Sequence, residues 1–428
     1  MPTRALLILA LFASLARADD WPQYRGPNRD DVSKESGLLK SWPAGGPKLL
    51  WAYADTGAGY SGPAIVGQRL FITGARGESE FLIGVDVSAA EPKQLWATRV
   101  GPTLEWKGNV WSSGPSATPT VDGDLVYALG GNGDLLCASA ADGKEVWRSN
   151  LPTDLAAEVN PIGGGPKKLG WGFTSSPLVD GDRLICLPGG PKGTVAALDK
   201  RTGKVLWRST ELTDQAAYTS PMLAEIAGVR QYVVLTNQSI AGVAADSGKL
   251  LWSVKRKFGT EVINSPIVRG NHVFVTVGAG GGCELLKIDK AGDALAASVV
   301  YSNKNLVNHH GNVVLLGDHL YGHSQGRGWT GLNFATGEPA WAKREGPRAG
   351  ATTYADGAFY QLAESDGTVT LTAASPTETK DLGKFKLPQP SKLKKPKGGL
   401  WTPPVVANGR LYLRDQELLF CYDVKDAK

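Results

Sequence analysis

The chain is poor in the residue types that mark most recognisable sites and cross-links. Its 428 residues include 4 cysteines, 5 histidines and 2 methionines. The cysteines are far apart, at positions 137, 186, 283 and 421, so they do not form the dense framework of a small disulfide-stapled domain. We expect free, buried thiols instead. The net charge of +5 is modest for this length, and it favours no nucleic-acid partner.

Long apolar runs are also lacking, with one exception at the N-terminus. Arg4 precedes a short apolar run, and small residues at Ala16 and Ala18 follow at a cleavage spacing. This pattern predicts a signal peptide over residues 1–18 and a mature chain beginning at Asp19. The run is short for a permanent anchor, which remains the alternative. Because no cysteine lies near this junction, we expect no lipid attachment. Because the apolar run is short and precedes a cleavage site, we expect no transmembrane segment and a periplasmic or extracellular protein.

Glycine, in contrast, is abundant at 54 residues, and it punctuates a repeated hairpin. Residues 195–207 read VAALDKRTGKVLW, in which an alternating run, a turn at Gly203 and a second β-rich run end in Trp207. The pattern returns at residues 138–147, 243–252 and 332–341, and in a longer form at 85–96. A second pattern lies upstream of each copy. It consists of a small polar residue, often followed by a proline, then a short apolar run and a turn glycine. Such units cannot bury their own faces and must stack on neighbours.

The turn glycines number the units. There are eight: Gly67, Gly123, Gly181, Gly228, Gly270, Gly317, Gly357 and Gly409. Most units end in an aromatic residue: Trp96, Trp147, Trp207, Trp252, Tyr301, Trp341 and, weakly, Phe385. The eighth unit stops near Tyr422 without its final strand, and an orphan strand surrounds Trp51 near the start.

These observations predict an all-β ring of eight four-stranded antiparallel units, closed by pairing of the two chain ends. Closure removes exposed strand edges. The ring would form one domain over residues 48–428, preceded by an arm over residues 19–47 that packs down on it. We expect the closing aromatics to form a structural column at the seams between units, and we expect the protein to be a monomer.

Alternate loops of such a ring fall on opposite faces, and one face collects the longest insertions. The residues predicted around its mouth are Tyr60, Ser116, Thr174, Tyr218, Ile263, His310 and Trp401. The insertion 104–113 carries Trp106 and Trp111, and 151–173 carries Trp171 and Phe173. Long loops on one face indicate that it is the binding face. The alternative is that these aromatic residues only hold the long loops in place. The binding candidates are Tyr60, Trp106, Trp111, Trp171, Tyr218, His310, His323, Arg327 and Trp401.

Four of the five histidines lie between His309 and His323, which raises the question of a metal site. The strand pattern separates them: His319 and His272 follow turn glycines on the opposite face, and consecutive residues point to opposite sides of a strand. We therefore expect no metal, and a hydrogen-bonding role for His310 and His323 with Arg327 and Gln325. The Asp-Gly-Asp turns at Asp122 and Asp180 lack the carboxylate spacing of a calcium loop.

A second candidate feature is the basic, proline-containing segment 387–399. It carries Lys392, Lys394, Lys395 and Lys397. A solvated linker is the simplest interpretation. Contact with an anionic polymer of the cell envelope is the alternative, and such binding would weaken at high salt.

The A-L-D-x-x-T-G-x-x-x-W unit of residues 197–207 resembles the repeat of the pyrroloquinoline-quinone (PQQ)-like β-propellers. The resemblance extends from Trp51 to Asp423, and the arm sequence WPQYRGPNRD is similar to that of secreted propellers of planctomycete-like bacteria. Family members include propellers of the BamB type and quinoprotein alcohol dehydrogenases. The repeat is specific for fold and weak for function, since function resides in the loops.

The resemblance implies two functions. One is a non-catalytic, BamB-like binding or assembly scaffold without a cofactor, whose loop-rich face holds a protein or an envelope polymer. The other is a PQQ-dependent dehydrogenase, in which the resemblance implies a quinone held between a tryptophan and adjacent cysteines, a calcium ion and an aspartate base. This chain has no adjacent cysteine pair and no aspartate in a matching motif, so the scaffold is preferred. A serine hydrolase is weaker still, because no G-x-S-x-G motif precedes a helix.

Overall fold

Eight sheets are arranged as the blades of a β-propeller. The structure is a computed structural model that describes residues 20–162, 164–165, 168–256 and 261–426. The predicted signal peptide, residues 1–18, lies outside the described residues. Within the described part of the chain, no helix is both long and apolar enough to cross a membrane.

The first two strands precede the repeats and join late blades. They are β1 (Val32–Ser33) and β2 (Lys48–Tyr53). Blade 1 contains β3 (Ala64–Val66), β4 (Arg69–Arg76), β5 (Ser79–Asp86) and β6 (Lys93–Pro102). Blade 2 contains β7 (Thr120–Asp122), β8 (Leu125–Leu129), β9 (Asp134–Ser139) and β10 (Glu145–Asn150). The single helix of the described residues, α1 (Leu151–Leu155), follows. Blade 3 contains β11 (Leu178–Asp180), β12 (Arg183–Cys186), β13 (Ala196–Asp199) and β14 (Val205–Arg208).

The remaining blades repeat the same order of four strands. Blade 4 contains β15 (Met222–Ile226), β16 (Val229–Leu235), β17 (Ser239–Ala244) and β18 (Leu250–Lys255). Blade 5 contains β19 (Ile267–Arg269), β20 (His272–Val277), β21 (Gly282–Ala291) and β22 (Ala294–Asn303). Blade 6 contains β23 (Val314–Leu316), β24 (His319–Ser324), β25 (Gly328–Asn333) and β26 (Pro339–Lys343). Blade 7 contains β27 (Gly350–Ala355), β28 (Ala358–Ala363), β29 (Thr368–Ala373) and β30 (Asp381–Lys386). Blade 8 contains β31 (Val405–Ala407), β32 (Arg410–Asp415) and β33 (Leu418–Asp423).

The ring closes as the sequence predicts. Strand β2 pairs antiparallel with β33, and Trp51 lies opposite Cys421. Cys137 and Ala197 occupy the same position opposite Trp147 and Trp207. All four cysteines are free and buried, which confirms the expectation that they behave as small core residues.

Arg414 of β32 reinforces the closure, a role that no local pattern around it predicts. Its buried guanidinium donates to the backbone oxygens of Ser61, Thr73 and Gly57 at 2.7–3.0 Å. Blade 8 is therefore tied to blade 1 by charge-assisted hydrogen bonds as well as by strand pairing.

The repeat spacing is explained by contacts between consecutive blades. An added Cβ at Gly203, where φ is +72°, would lie 2.8 Å from the ring of Trp147 in the preceding blade. Trp147 Nε1 also donates to the carbonyl of Lys200 at 2.9 Å. The turn glycines Gly143, Gly248 and Gly337 likewise lie against Trp96, Trp207 and Tyr301 of the previous blade, which confirms that the aromatics lie at the seams.

Residues 21–33 of the N-terminal arm run along the inner strands, whereas Trp42 reaches the outer strand β30, where its N–H donates to Leu382. Trp21 exchanges backbone hydrogen bonds with Ile65 of blade 1, and Val32 and Ser33 of β1 pair in parallel with β27 of blade 7. Arg25 donates to Val313 of blade 6 at 2.8 Å. The arm therefore packs down, as expected, and it occupies the free edges of inner strands that would otherwise border the channel.

Candidate functional site

The mouth of the channel forms a cup on the face that carries the long insertions. Space for water-sized molecules amounts to about 190 Å³. Aromatic and hydroxyl-bearing side chains dominate the described lining. The lining aromatics are Tyr24, Tyr60, Trp111, Trp171, Tyr218 and Trp401, and the hydroxyl residues are Ser112, Ser116, Thr118, Thr174, Ser176 and Ser220.

All seven residues predicted around the mouth line this cup. Of the nine binding candidates, the structure brings together six: Tyr60, Trp111, Trp171, Tyr218, His310 and Trp401. Trp106, His323 and Arg327 are not in its lining. Arg327 is exposed and donates to Asn305 at 3.1 Å, so it does not join His310.

One wall of the cup is a continuous stack of rings from three blades. The imidazole of His310 lies parallel to the indole of Trp401, with centroids 4.7 Å and planes 11° apart. Tyr60 packs on the same indole at 5.0 Å, and Trp401 Nε1 donates to Glu364 at 3.1 Å. These contacts hold Trp401 in one orientation, which makes the wall rigid.

His310 is also joined to a second histidine. Its Nδ1 lies 3.0 Å from Nδ1 of His309, whose Nε2 lies 2.8 Å from Glu261. A carboxylate accepts, so His309 Nε2 donates to it. One proton lies between the two Nδ1 atoms, carried by one of the two rings. Burial, with His309 adjacent, holds the pKa of His310 well below its usual value, so His310 is uncharged at neutral pH.

The carboxylates beside these histidines come from other loops and had no sequence signal. Glu261 precedes blade 5, and Glu364, 3.9 Å from His310 Nδ1, lies between strands of blade 7. Even so, among the residues that the structure describes, no group of three or more His, Cys, Asp or Glu side chains is arranged to hold a metal ion.

The opposite wall is built from the long insertion before blade 3. Trp171 packs against Tyr218 with centroids 5.3 Å apart. The Tyr218 hydroxyl lies 2.9 and 2.8 Å from the carbonyl oxygens of Asn160 and Ile162. This wall therefore depends on an aromatic pair that also pins the insertion, as the alternative interpretation of these aromatics predicts.

A chain of hydroxyl groups forms the lower rim of the cup. The backbone N–H groups of Gly62, Thr118, Ser176 and Ser220 each donate to a hydroxyl of the next blade at 2.9–3.1 Å; the acceptors are Thr118, Ser176, Ser220 and Ser265. These hydroxyl residues were not among the predicted binding residues. Their signal was present, because each acceptor directly precedes the proline of the upstream repeat signature.

The arm supplies the floor of the cup through Tyr24. Its hydroxyl lies 3.4 Å from Asn312 Oδ1, and Arg29 lies over its ring at 5.5 Å. On the other side of the arm, Arg25, Arg29 and the inner strands of blades 4 to 6 line a separate cavity. The arm therefore turns an open channel into a cup with one mouth, which sequence reasoning missed.

The basic segment 387–399 is pinned at the outer edge of the mouth. Lys394 and Lys395 pair with Asp415 and Glu105, and Lys397 lies 5.1 Å from the ring centre of Trp111. The segment is thus attached to the insertion 104–113 rather than extending freely into solvent.

The fold and site place the chain among known proteins. A family model described as outer membrane protein assembly factor BamB matches residues 83–343. Two curated relatives are outer membrane protein assembly factors BamB. The one from Burkholderia pseudomallei is 28% identical over 166 residues, 39% of this chain and 34% of the relative. The one from Shewanella oneidensis is 23% identical over 252 residues, 58% of this chain and 56% of the relative. The matches thus span about half or less of these relatives.

Solved structures show the same fold at low identity. BamB from Moraxella catarrhalis is similar with a TM-score of 0.58 and 15% identity, covering 89% of this chain and 98% of that one. Quinohemoprotein alcohol dehydrogenase from Comamonas testosteroni is similar with a TM-score of 0.59 and 13% identity, covering 97% and 82%. Both kinds of propeller share the architecture, and since the family model matches more than half of the sequence, this chain belongs to the family of the outer membrane protein assembly factor BamB, within the PQQ-like propellers.

Proposed function

We propose that the protein is a non-catalytic binding scaffold of the periplasm or the cell exterior, and that its partner docks at the mouth of the cup. The observation that carries this proposal is the cup itself, which has two aromatic walls and a floor closed by the arm. A closed, partly apolar cup with a few fixed polar groups is the usual form of a binding site.

The alternative, a PQQ-dependent dehydrogenase, is suggested by the solved quinohemoprotein structures. The residues present do not fit the cofactor as the resemblance implies. Among the described residues that line the cup, none is a cysteine or an aspartate, and the four cysteines are buried. Trp401 is already covered by His310 and Tyr60.

One experiment separates the two functions. The purified mature protein is mixed with PQQ and Ca²⁺, and dye reduction is measured with a panel of primary and secondary alcohols. We expect no turnover above a protein-free control. Substrate-dependent dye reduction that is lost in Trp401→Ala would overturn the scaffold proposal.

A second experiment tests the docking face. Immobilised mature protein is incubated with detergent-solubilised cell envelope, and retained components are compared between variants. Trp111→Ala, at the mouth, should lose a component that the wild type retains. Asp182→Ala, in a turn on the opposite face where the side chain is 96% exposed, should keep it. Equal retention by both variants would contradict docking at the mouth.

A further inference from the structure

The cup has the chemistry of a site for an uncharged, hydroxyl-rich ring. Six aromatic and six hydroxyl-bearing residues contribute to its described lining. Aromatic faces cover the C–H faces of a sugar ring, while hydroxyl groups both donate and accept hydrogen bonds with its hydroxyls. We propose that the cup binds a neutral carbohydrate, namely the end of a glycan chain. This inference rests on the proposed function and names the ligand class.

Charge inside the cup argues against an anionic ligand. No lysine or arginine is among the described lining residues. Glu261 lines the cup and hydrogen-bonds to His309, so the acidic side chain of the described lining is a carboxylate, whereas Lys397 and Arg29 lie behind the lining rings of Trp111 and Tyr24. Burying an anion without a cationic partner is costly. The lysines of segment 387–399 lie outside, where Lys394 and Lys395 already have carboxylate partners.

The size and polarity of the cup fit one terminal sugar unit. The water-accessible space is about 190 Å³, which corresponds to roughly six waters at about 30 Å³ each. The cup therefore has room for one small ring and not for a folded segment of chain. The floor at Tyr24 closes the far end, so a longer chain would extend outwards through the mouth.

An unsatisfied hydroxyl supports a hydrogen-bonding ligand. Thr174 lines the cup, and its buried Oγ1 has no hydrogen-bond partner among the described residues. The neighbouring Ser176 and Ser220 each accept from a backbone N–H. A buried polar group without a partner costs about 1–3 kcal/mol, and a sugar hydroxyl would supply the missing partner.

The test uses the mature protein and trisaccharides of defined charge. Quenching of tryptophan fluorescence and isothermal titration are measured with maltotriose, cellotriose, mannotriose, galactotriose and N-acetylchitotriose, and with trigalacturonate as the acidic comparison. We expect saturable binding of at least one neutral trisaccharide and none of trigalacturonate. Binding of the acidic trisaccharide alone, or of no neutral one, overturns the inference.

Variants locate the site. Trp111 is 41% exposed, so Trp111→Ala should fold, and we expect its Kd to rise about tenfold or more, as for a central aromatic contact. Thr174→Val keeps the shape and should raise Kd about fivefold, the effect of one hydrogen bond. Trp106→Ala, in the same insertion as Trp111 but outside the cup, should leave Kd unchanged. Equal effects of Trp106→Ala and Trp111→Ala would overturn the assignment.

Different experimental results would contradict the scaffold proposal and the carbohydrate proposal. Mouth-dependent retention of an envelope component without neutral trisaccharide binding removes the carbohydrate inference and leaves the scaffold. Binding of a trisaccharide together with its PQQ-dependent oxidation removes the scaffold and leaves the carbohydrate site.

Discussion

His310 and Trp401, which are 91 residues apart in sequence, lie in parallel contact with ring centroids 4.7 Å apart. The contact joins the loop before blade 6 to the loop before blade 8 within one wall of the cup. It covers one face of the imidazole, whose side chain is 17% exposed, and the wall of the cup is therefore coupled to the protonation of one half-buried histidine.

Protonation of His310 should weaken the fold. Its pKa is lowered by burial and by His309, so the unfolded chain binds a proton more readily than the native state. The stability contributed by neutral His310 is present above the unfolded pKa of about 6.5 and is lost as pH falls below it. Between pH 7.5 and pH 5, the urea midpoint of His310→Gln should fall less, or rise more, than that of the wild type, in which Glu80 acts in the opposite direction. The groups facing His310 are His309 and Glu364, so Glu364→Gln is measured beside it. An unchanged pH slope in His310→Gln would contradict this assignment.

Glu80 should produce the opposite pH dependence. It is buried and accepts hydrogen bonds from the backbone of Leu104 and Gly131 at 3.0 and 2.8 Å, and burial, with Asp134 near, raises its pKa to about 7. Native Glu80 therefore holds its proton where the unfolded chain has lost it. The contribution of Glu80 to the free energy of unfolding therefore falls by up to about 3 kcal/mol as pH rises from about 4.5 to about 7.

Glu80→Gln should remove this slope in urea unfolding measured across pH 4.5–8. The exposed neighbour Glu78 provides the control, because Glu78→Gln should keep the slope. Since Leu104 begins the insertion that carries Trp111, the hydrogen-exchange protection factors of residues 104–113, corrected for the intrinsic pH dependence of exchange, should fall in the wild type over the same pH range. Identical slopes in the two variants would show that Glu80 is not the group that titrates.

The buried ion pair of the arm should behave as a coupled unit. Arg25 Nε lies 2.5 Å from Asp31, with side-chain exposures of 2% and 0%. Arg25→Met leaves Asp31 buried without its partner and should cost about 3–5 kcal/mol. The double variant Arg25→Met with Asp31→Asn should cost clearly less than the two single changes together. Urea unfolding measures this cycle, and Lys34→Met, at an exposed arm position, should have little effect. Additive losses would show that the pair is not coupled.

The contact at the seam predicts that alanine substitutions at two glycines of one blade lower the free energy of unfolding by different amounts. Gly181 and Gly203 both have positive φ, +59° and +72°, but a Cβ at Gly181 meets nothing within 4 Å, whereas one at Gly203 meets Trp147 at 2.8 Å. Gly181→Ala should lower the free energy of unfolding by about 1–2 kcal/mol, which is the strain of holding a residue with a Cβ at positive φ. Gly203→Ala should cost about 1–3 kcal/mol more, because it also overpacks the seam. Thermal or urea unfolding of the two variants tests this, and equal costs would refute the seam explanation.

Much of the ring could be predicted from the sequence because its determinants are local. The eight turn glycines all adopt positive φ between the first two strands of their blades, and that requirement is visible in a turn of a few residues. The closure of the ring was also predictable, because the incomplete eighth repeat and the orphan strand at Trp51 are each visible in a short stretch of sequence. The mouth residues followed from counting loops on one face.

The tertiary structure alone decided what the mouth is made of. Tyr24 forms the floor, Glu261 meets His309, and Arg414 ties blade 8 to blade 1, all through contacts between segments far apart in sequence. A repeat pattern specifies which face a loop lies on, but it does not specify how loops of different blades pack across a channel. That packing depends on the diameter of the ring and on the arm that fills it, and neither has a local signature in the amino-acid sequence.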